Sequence, residues 1–381
     1  MAPPSPYGTP APISQPAEWY GDQDEIVAAT APYGPQRIFD GGFLRAEYLN
    51  WNIGNPGNQT LGAPLLGVGD VTQPFYVYTP GSQNIQAIAS VPTTFPISLS
   101  DVNGVRVTGG MDLLYGGSIE ISAFMLGKKS SGFNVTKFPE IGVVNADDPT
   151  SLHLVTQGVA TSVLNHGQIG NDVYFYNQSY SAVYTSQLWG AEGNYIGDYD
   201  RDGFIQINPT AGLRFFQLHE RLTQVGVFKD TILDAPAVTT TIDSMTFNNL
   251  YGGQIGTRIE LVTQYVQLGV DPKLMFLANT MLASVTTNHL RSNNDGVVYT
   301  DDLTTGFSFG VDIPVFAQIN FNDRFSVRVG YNFIWINAVT RPENNVYYNT
   351  NGPNNPPGVV TSLDRKDFIV QGVSIGATLK F

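Results

Sequence analysis

The chain has 381 residues, a formal net charge of -13 and only 13% charged residues, against roughly 25% in ordinary soluble domains. That acidic balance leaves no basic stripe to displace phosphate counterions and excludes nucleic acid as a partner. The lack of Cys excludes disulfide staples and thiolate metal sites, and no apolar run approaches the roughly 18 residues of a membrane helix.

From the N-terminus, residues 1–38 are rich in Pro and small residues and hold too little apolar surface to fold alone, so they are expected to form a disordered or extended tail. The Tyr-Gly pairs at Tyr7, Tyr20 and Tyr33 read as composition bias. No basic start followed by an apolar stretch opens the chain, and an export signal is expected to have been removed.

Residues 39–381 read as one domain. Alternating segments predict ten strands at about 43–52, 105–112, 118–126, 180–193, 204–217, 250–262, 265–277, 306–320, 325–338 and 367–381. Their connections alternate between long (53–104, 127–179, 218–249, 278–305, 339–366) and short (113–117, 194–203, 263–264, 321–324). This sorting predicts an all-β, antiparallel up-and-down transmembrane β-barrel with long extracellular loops and short periplasmic turns. Ten strands are expected, twelve if part of a long loop pairs.

The two faces of each segment point the same way. In "FSVRVGYNFIW" one face is Phe325, Val327, Val329, Tyr331, Phe333 and Trp335, while the other carries Arg328, Gly330 and Asn332. Aromatic residues gather toward strand ends, as interface girdles do. The polar faces collect Arg45, Arg106, Arg214, Arg258, Lys273, Arg328 and Lys380 against Glu47, Asp112, Glu120, Glu192, Glu260, Asp271 and Asp312. Seven cations meet seven anions, so the net charge belongs to the tail, loops and turns. A narrow lumen in which unpaired charge is costly needs that balance.

"GGFLRAEYLNW", "LWGAEGNY", "LYGGQIGTRIE", "VRVGYNFIWINAVTRP" and the terminal "FIVQGVSIGATLKF" together resemble the planctomycete-type putative beta-barrel porin family over residues 41–381, with residues 329–342 the most specific block. The resemblance implies an outer-membrane barrel. The alternating end, with Val373, Ile375, Leu379 and Phe381, looks like the signal by which barrel-assembly machinery recognises its clients.

Four local features call for weighing. "GDYDRDGF" at 197–204 sets Asp198, Asp200 and Asp202 ahead of Gly203 like the first half of a calcium loop, but position twelve is Pro209 and the bidentate Glu is missing. An acidic solvated turn is the stronger reading, with Ca²⁺ as the one cofactor it leaves open. His219 beside Glu220, and His289 in one loop with Asp301 and Asp302, offer pieces of acid–base chemistry. No Ser nucleophile motif accompanies them, and no catalysis is expected. Arg258 and Glu260 face Asp271 and Lys273 across a tight turn, either as a charged constriction or, preferred, as a structural network filling the lumen. The 53–104 loop carries only Asp70 and Asp101 as charges, and is expected to fold inward as a plug, cap the mouth or meet a partner.

The sequence therefore predicts a porin-like barrel in the bacterial outer membrane, either a narrow cation-favouring channel or a structural barrel that displays its loops. The alternatives are an adhesion or scaffold protein with a sealed lumen and a soluble extracellular β-sandwich that binds ligand. Expected partners are outer-membrane lipid, barrel-assembly machinery and, at the long loops, a second copy of the chain or a cell-envelope component.

Overall fold

The computed structural model describes residues 39–79, 81–113, 116–198, 204–230, 235–290, 292–351 and 357–381. The 1–38 tail expected from the sequence lies outside the described residues. In chain order the strands are β1 (Phe39–Ile53), β2 (Phe75–Tyr78), β3 (Ile85–Ser90), β4 (Val102–Leu113), β5 (Ser118–Leu126), β6 (Lys129–Val135) and β7 (Glu140–Val143). They continue with β8 (His153–Asn165), β9 (Gln168–Tyr176), β10 (Ser179–Ile196), β11 (Ile205–Phe228), β12 (Val238–Val262) and β13 (Val266–Val270). The last are β14 (Lys273–Asn288), β15 (Val298–Asn320), β16 (Phe325–Val339), β17 (Val346–Asn351), β18 (Pro357–Thr361) and β19 (Lys366–Lys380).

Twelve of these strands form one closed antiparallel sheet. Two staves are broken: β5 and β6 pair with successive halves of β10, and β13 and β14 with successive parts of β12. The second break falls at Asp271-Pro272, where Pro has no N–H to give the ladder. The barrel is therefore ten staves around, all at the predicted places, and β19 closes the ring against β1. The backbone N–H of Phe381 donates to Gly42 O at 2.9 Å and that of Gly42 to Phe381 O at 3.0 Å, so the terminal residue locks the seam.

The apolar faces point outward. Leu213 is 72% exposed, and Ile121, Ile255, Val373, Ile375 and Leu379 stand on the same outer wall. The inward positions hold the charges. A soluble protein shows the reverse, so the outer wall is the surface that lipid covers. On β11 the outward run from Ile205 through Ile207, Ala211 and Leu213 to Phe215 spans the 9–11 residues that a tilted strand needs to cross a membrane. Just above it Trp189 Nε1 donates to Gln217 at 2.8 Å, and Gln217 Nε2 to Asn249 at 2.8 Å, where aromatic belt meets water.

Two connections differ from expectation. The 218–249 and 278–305 segments are mostly strand: β11 runs to Phe228, β12 starts at Val238, β14 reaches Asn288 and β15 starts at Val298. Above Phe215 the outward residues become Gln217, His219, Arg221 and Thr223, while the inward ones become Leu218 and Leu222. The alternation keeps its period and exchanges its faces. Water has replaced lipid outside.

The other three long connections build a second sheet over the outer mouth, ordered β18-β17-β8-β3-β2, with β7 and β9 also on β8. β3 and β17 meet β8 in parallel. The low-charge 53–104 loop supplies β2 and β3, and it also drops Leu61, Ile97 and Leu99 into the apolar core shared with Leu49, Trp51 and Ile53 of β1. It is both cap and plug.

Candidate functional site

Within the lipid belt the lumen is a web of ion pairs. Arg258 donates from Nη1 and Nη2 to the two oxygens of Glu120 at 2.7 and 2.8 Å, through the lumen past β10 and β11, and reaches Asp271 at 3.0 Å. Lys273 lies 3.2 Å from Glu192 and 3.6 Å from Asp271. Arg214 bridges Asp312 and, at 3.3 Å, Glu192. Glu47 takes Arg45 at 3.5 Å and Arg106 at 3.6 Å, and accepts a hydrogen bond from Ser374 at 3.2 Å. Arg328 instead lies over the Phe316 ring at 3.3 Å. Each of these groups, desolvated in the packed lumen, thus meets opposite charge or a π face, as a low-dielectric interior requires.

Two of the charges read as luminal stand apart. Asp112 and Lys380 are exposed at the periplasmic rim, where they line a vestibule of about 230 Å³ with Arg45, Glu260 and Arg328. Glu260 lines that vestibule without an ion pair among the described residues. The expected cross-strand partnership is partly redrawn: Arg258 does reach Asp271, but its bidentate contact is to Glu120 on β5, three staves away. Past the vestibule the void narrows to about 40 Å³ between Arg106, Glu192, Arg214, Arg258, Lys273 and Asp312. That is room for one or two waters.

Above the ion pairs sits an apolar diaphragm. Trp51 and Phe124 lie with ring centroids 5.2 Å apart, and Phe124 and Phe216 6.0 Å apart, edge on. Such bulk needs room, and glycines paired with these residues on the neighbouring strands give it. A Cβ on Gly372 would stand 2.5 Å from Trp51 Cα, and one on Gly190 2.8 Å from both Phe124 and Phe216. This is why the inward face of the last strand reads Gly372, Ser374, Gly376 and Thr378.

A plug seals the upper lumen. Near the end of β16, at the register shift between Ile336 and Val339, the chain turns inward through Ala338, a non-Gly residue at φ 54°, and then makes one 3₁₀ turn at Pro342–Asn344. Backbone buried in this way must find partners. Asn248 Nδ2 donates to Thr340 O at 2.8 Å and its Oδ1 accepts from Thr340 N at 2.9 Å. Ser244 donates to Pro342 O at 2.8 Å and Asn279 to Ala338 O at 3.1 Å. Arg341 is the bolt: Nε and Nη2 each donate to Glu220 at 2.9 Å, and Nη1 donates to Gly54 O at 2.9 Å. Tyr184 donates to Glu343 at 3.0 Å. Burial raises the Glu343 carboxyl above the ordinary carboxylate range, against the nearby Arg341.

His219 and Glu220 are separated by the strand's own pleat. His219 faces outward, stacked on Phe247 at 4.0 Å, while Glu220 faces inward to Arg341. Of the acidic turn, Asp198 lines the periplasmic vestibule, while Asp200 and Asp202 lie outside the described residues. Among the described residues no three His, Asp or Glu side chains gather to hold a metal ion. Val373, Ile375, Leu379 and Phe381 all face outward at the closing strand. The role of Arg341 and Glu220 as a plug lock went unread, although continuing the parity of β11 from Arg214 places Glu220 inward, and Arg341 lies within the 329–342 block.

The family model described as putative beta barrel porin-7 matches residues 97–381. No curated protein matches. Among solved structures, the outer membrane protease OmpT from Escherichia coli is 8% identical with a TM-score of 0.44, and the alignment covers 90% of this chain and 97% of that one. The P. putida toluene transporter TodX is 9% identical with a TM-score of 0.23, covering 90% of each chain. The outer membrane channel DcaP of Acinetobacter baumannii is 8% identical with a TM-score of 0.13, covering 90% of this chain and 96% of that one.

Proposed function

The chain belongs to the putative beta barrel porin-7 family, and from that premise we propose that it is an outer-membrane, porin-like barrel whose lumen is closed and whose work is to display the cap sheet at the cell surface. The observation that carries this reading is the narrowing of the lumen to about 40 Å³ beneath an aromatic diaphragm and a bolted plug. The lumen charges balance within the belt and favour neither sign of ion. The reading involves no covalent chemistry. Lipid covers the outer wall, assembly machinery reads the terminal strand, and a second copy or a cell-envelope partner would meet the cap.

Planar-bilayer conductance of the refolded protein tests it. We expect correctly folded protein to be electrically silent. Stable openings of the unmodified protein would instead favour the second reading, a narrow channel in which acidic outer loops prefer cations and the plug leaves during conduction.

A further inference from the structure

Between the cap sheet and the barrel rim lies a cavity of about 1740 Å³, well above the roughly 300–1,000 Å³ of an ordinary small-molecule pocket. β2 builds one wall. Its alternation buries Phe75 in the cap's own core and turns Tyr76 and Tyr78 out, 53% and 51% exposed, with ring centroids 6.4 Å apart. Open to the cavity side by side, the two rings form a platform beside exposed amides instead of joining the cap's packed core.

Among apolar neighbours such as Leu65, Val77 and Val144, the described lining also supplies hydrogen bonds without positive charge. Gln73, Gln83 and Gln86 are exposed along it, and among the described lining residues there is no Lys, Arg or His. Asp70 is fixed by its own turn: one carboxylate oxygen accepts from Thr72 N at 2.9 Å and Thr72 Oγ1 at 2.6 Å. Those bonds hold its carboxyl below the usual range. Among the described lining residues an anionic ligand finds no cation, and a wholly apolar one would strip water from amides and carboxylates without replacing it. A pyranose fits both halves of the lining, with C–H faces for the tyrosine rings and hydroxyls for amides and carboxylates. A volume of this size admits several linked rings.

We propose that this cavity is a binding site for a short neutral oligosaccharide, held on Tyr76 and Tyr78. The proposal rests on the display reading, because it gives the displayed cap its ligand class. The test uses the full chain in lipid nanodiscs and three neutral probes: malto-, cello- and chitohexaose. Binding is followed by saturation-transfer NMR and calorimetry, beside the Tyr76→Ala, Tyr78→Ala and Gln86→Ala variants.

We expect at least one probe to bind with little dependence on salt, and either tyrosine substitution to weaken it by about tenfold or more. Circular dichroism and heat-modifiable gel migration check that each variant still folds. No binding of any probe up to about 10 mM, or binding indifferent to Tyr76 and Tyr78, overturns the proposal. So does salt-sensitive binding confined to charged sugars or peptides. A silent barrel that fails to bind leaves the display reading standing, whereas a conducting barrel defeats that reading whatever the sugars do.

Discussion

The lower and upper halves of this barrel share the same staves and obey opposite rules. In the lower half the outward residues are Leu, Ile, Val and Phe, and the inward ones are charged. In the upper half of β11 the outward residues from Gln217 to Thr223 are polar, with Val225 beyond them, and the inward ones include Leu218, Leu222 and the buried Glu220 that holds the plug. The strand does not change, only what lies outside it. Lipid draws apolar side chains outward and leaves polar ones to neutralise each other inside, while water allows an ordinary buried core. Closure is thus achieved twice, by charge pairing below and by apolar packing with a bolted loop above.

The largest way to break this comparison is to remove the bolt. Arg341→Met leaves Glu220 buried without its partner, and we expect a loss of about 3–5 kcal/mol in urea unfolding of the refolded protein. Hydrogen exchange at 338–345 should rise with it, since that backbone is held to the wall by Asn248, Ser244 and Asn279. Pairing Arg341→Met with Glu220→Gln should recover part of the loss. Full protection of 338–345 in the single variant would show that the wall hydrogen bonds alone hold the plug.

A smaller effect sharpens the contrast within one face of one strand. Leu213 and Val225 both face outward on β11, one on the lipid belt and one above it. Leu213→Arg should cost about 2–4 kcal/mol in the vesicle-inserted barrel, as charge on a lipid face does near the midplane. Val225→Arg should stay within about 0.5 kcal/mol. Equal penalties would place the upper wall in the membrane too.

The same exchange of faces explains what the sequence made legible. Ten staves were readable because an apolar outer face persists for the width of a bilayer and short turns punctuate it. The predicted strand ends at 217, 250, 277 and 306 fall near where that face loses its apolar residues, and the strands then run on in the other sense. The charged interior was readable in kind, since parity from one secure strand assigns Arg214 or Asp312 inward. Who pairs with whom was not, because Arg258 and Glu120 are 138 residues apart and meet across the lumen. The plug was hidden for a related reason. "INAVTRPEN" lacks any local pattern of burial, and it is buried only because Asn248, Asn279 and Ser244 on distant strands supply the bonds that its backbone gives up.

The smallest effect concerns Glu343, the second carboxylate beside Arg341. Burial raises its pKa, with the neighbouring Glu220 acting in the same direction. The folded protein therefore binds this proton more tightly than the unfolded chain. Its contribution to stability is favourable below the ordinary Glu pKa and falls as pH rises through the window up to the raised folded value, above which the full cost of a buried charge is in place. Glu343→Gln keeps an oxygen to accept from Tyr184 and cannot ionise. The difference between wild type and variant should then vanish at acid pH and favour the variant at neutral pH, read from urea midpoints across the range. A variant less stable at neutral pH would mean that the Glu343 charge, 3.6 Å from Arg341, is a working half of the bolt, and the upper closure would then rest on an ion-pair web like the one below it.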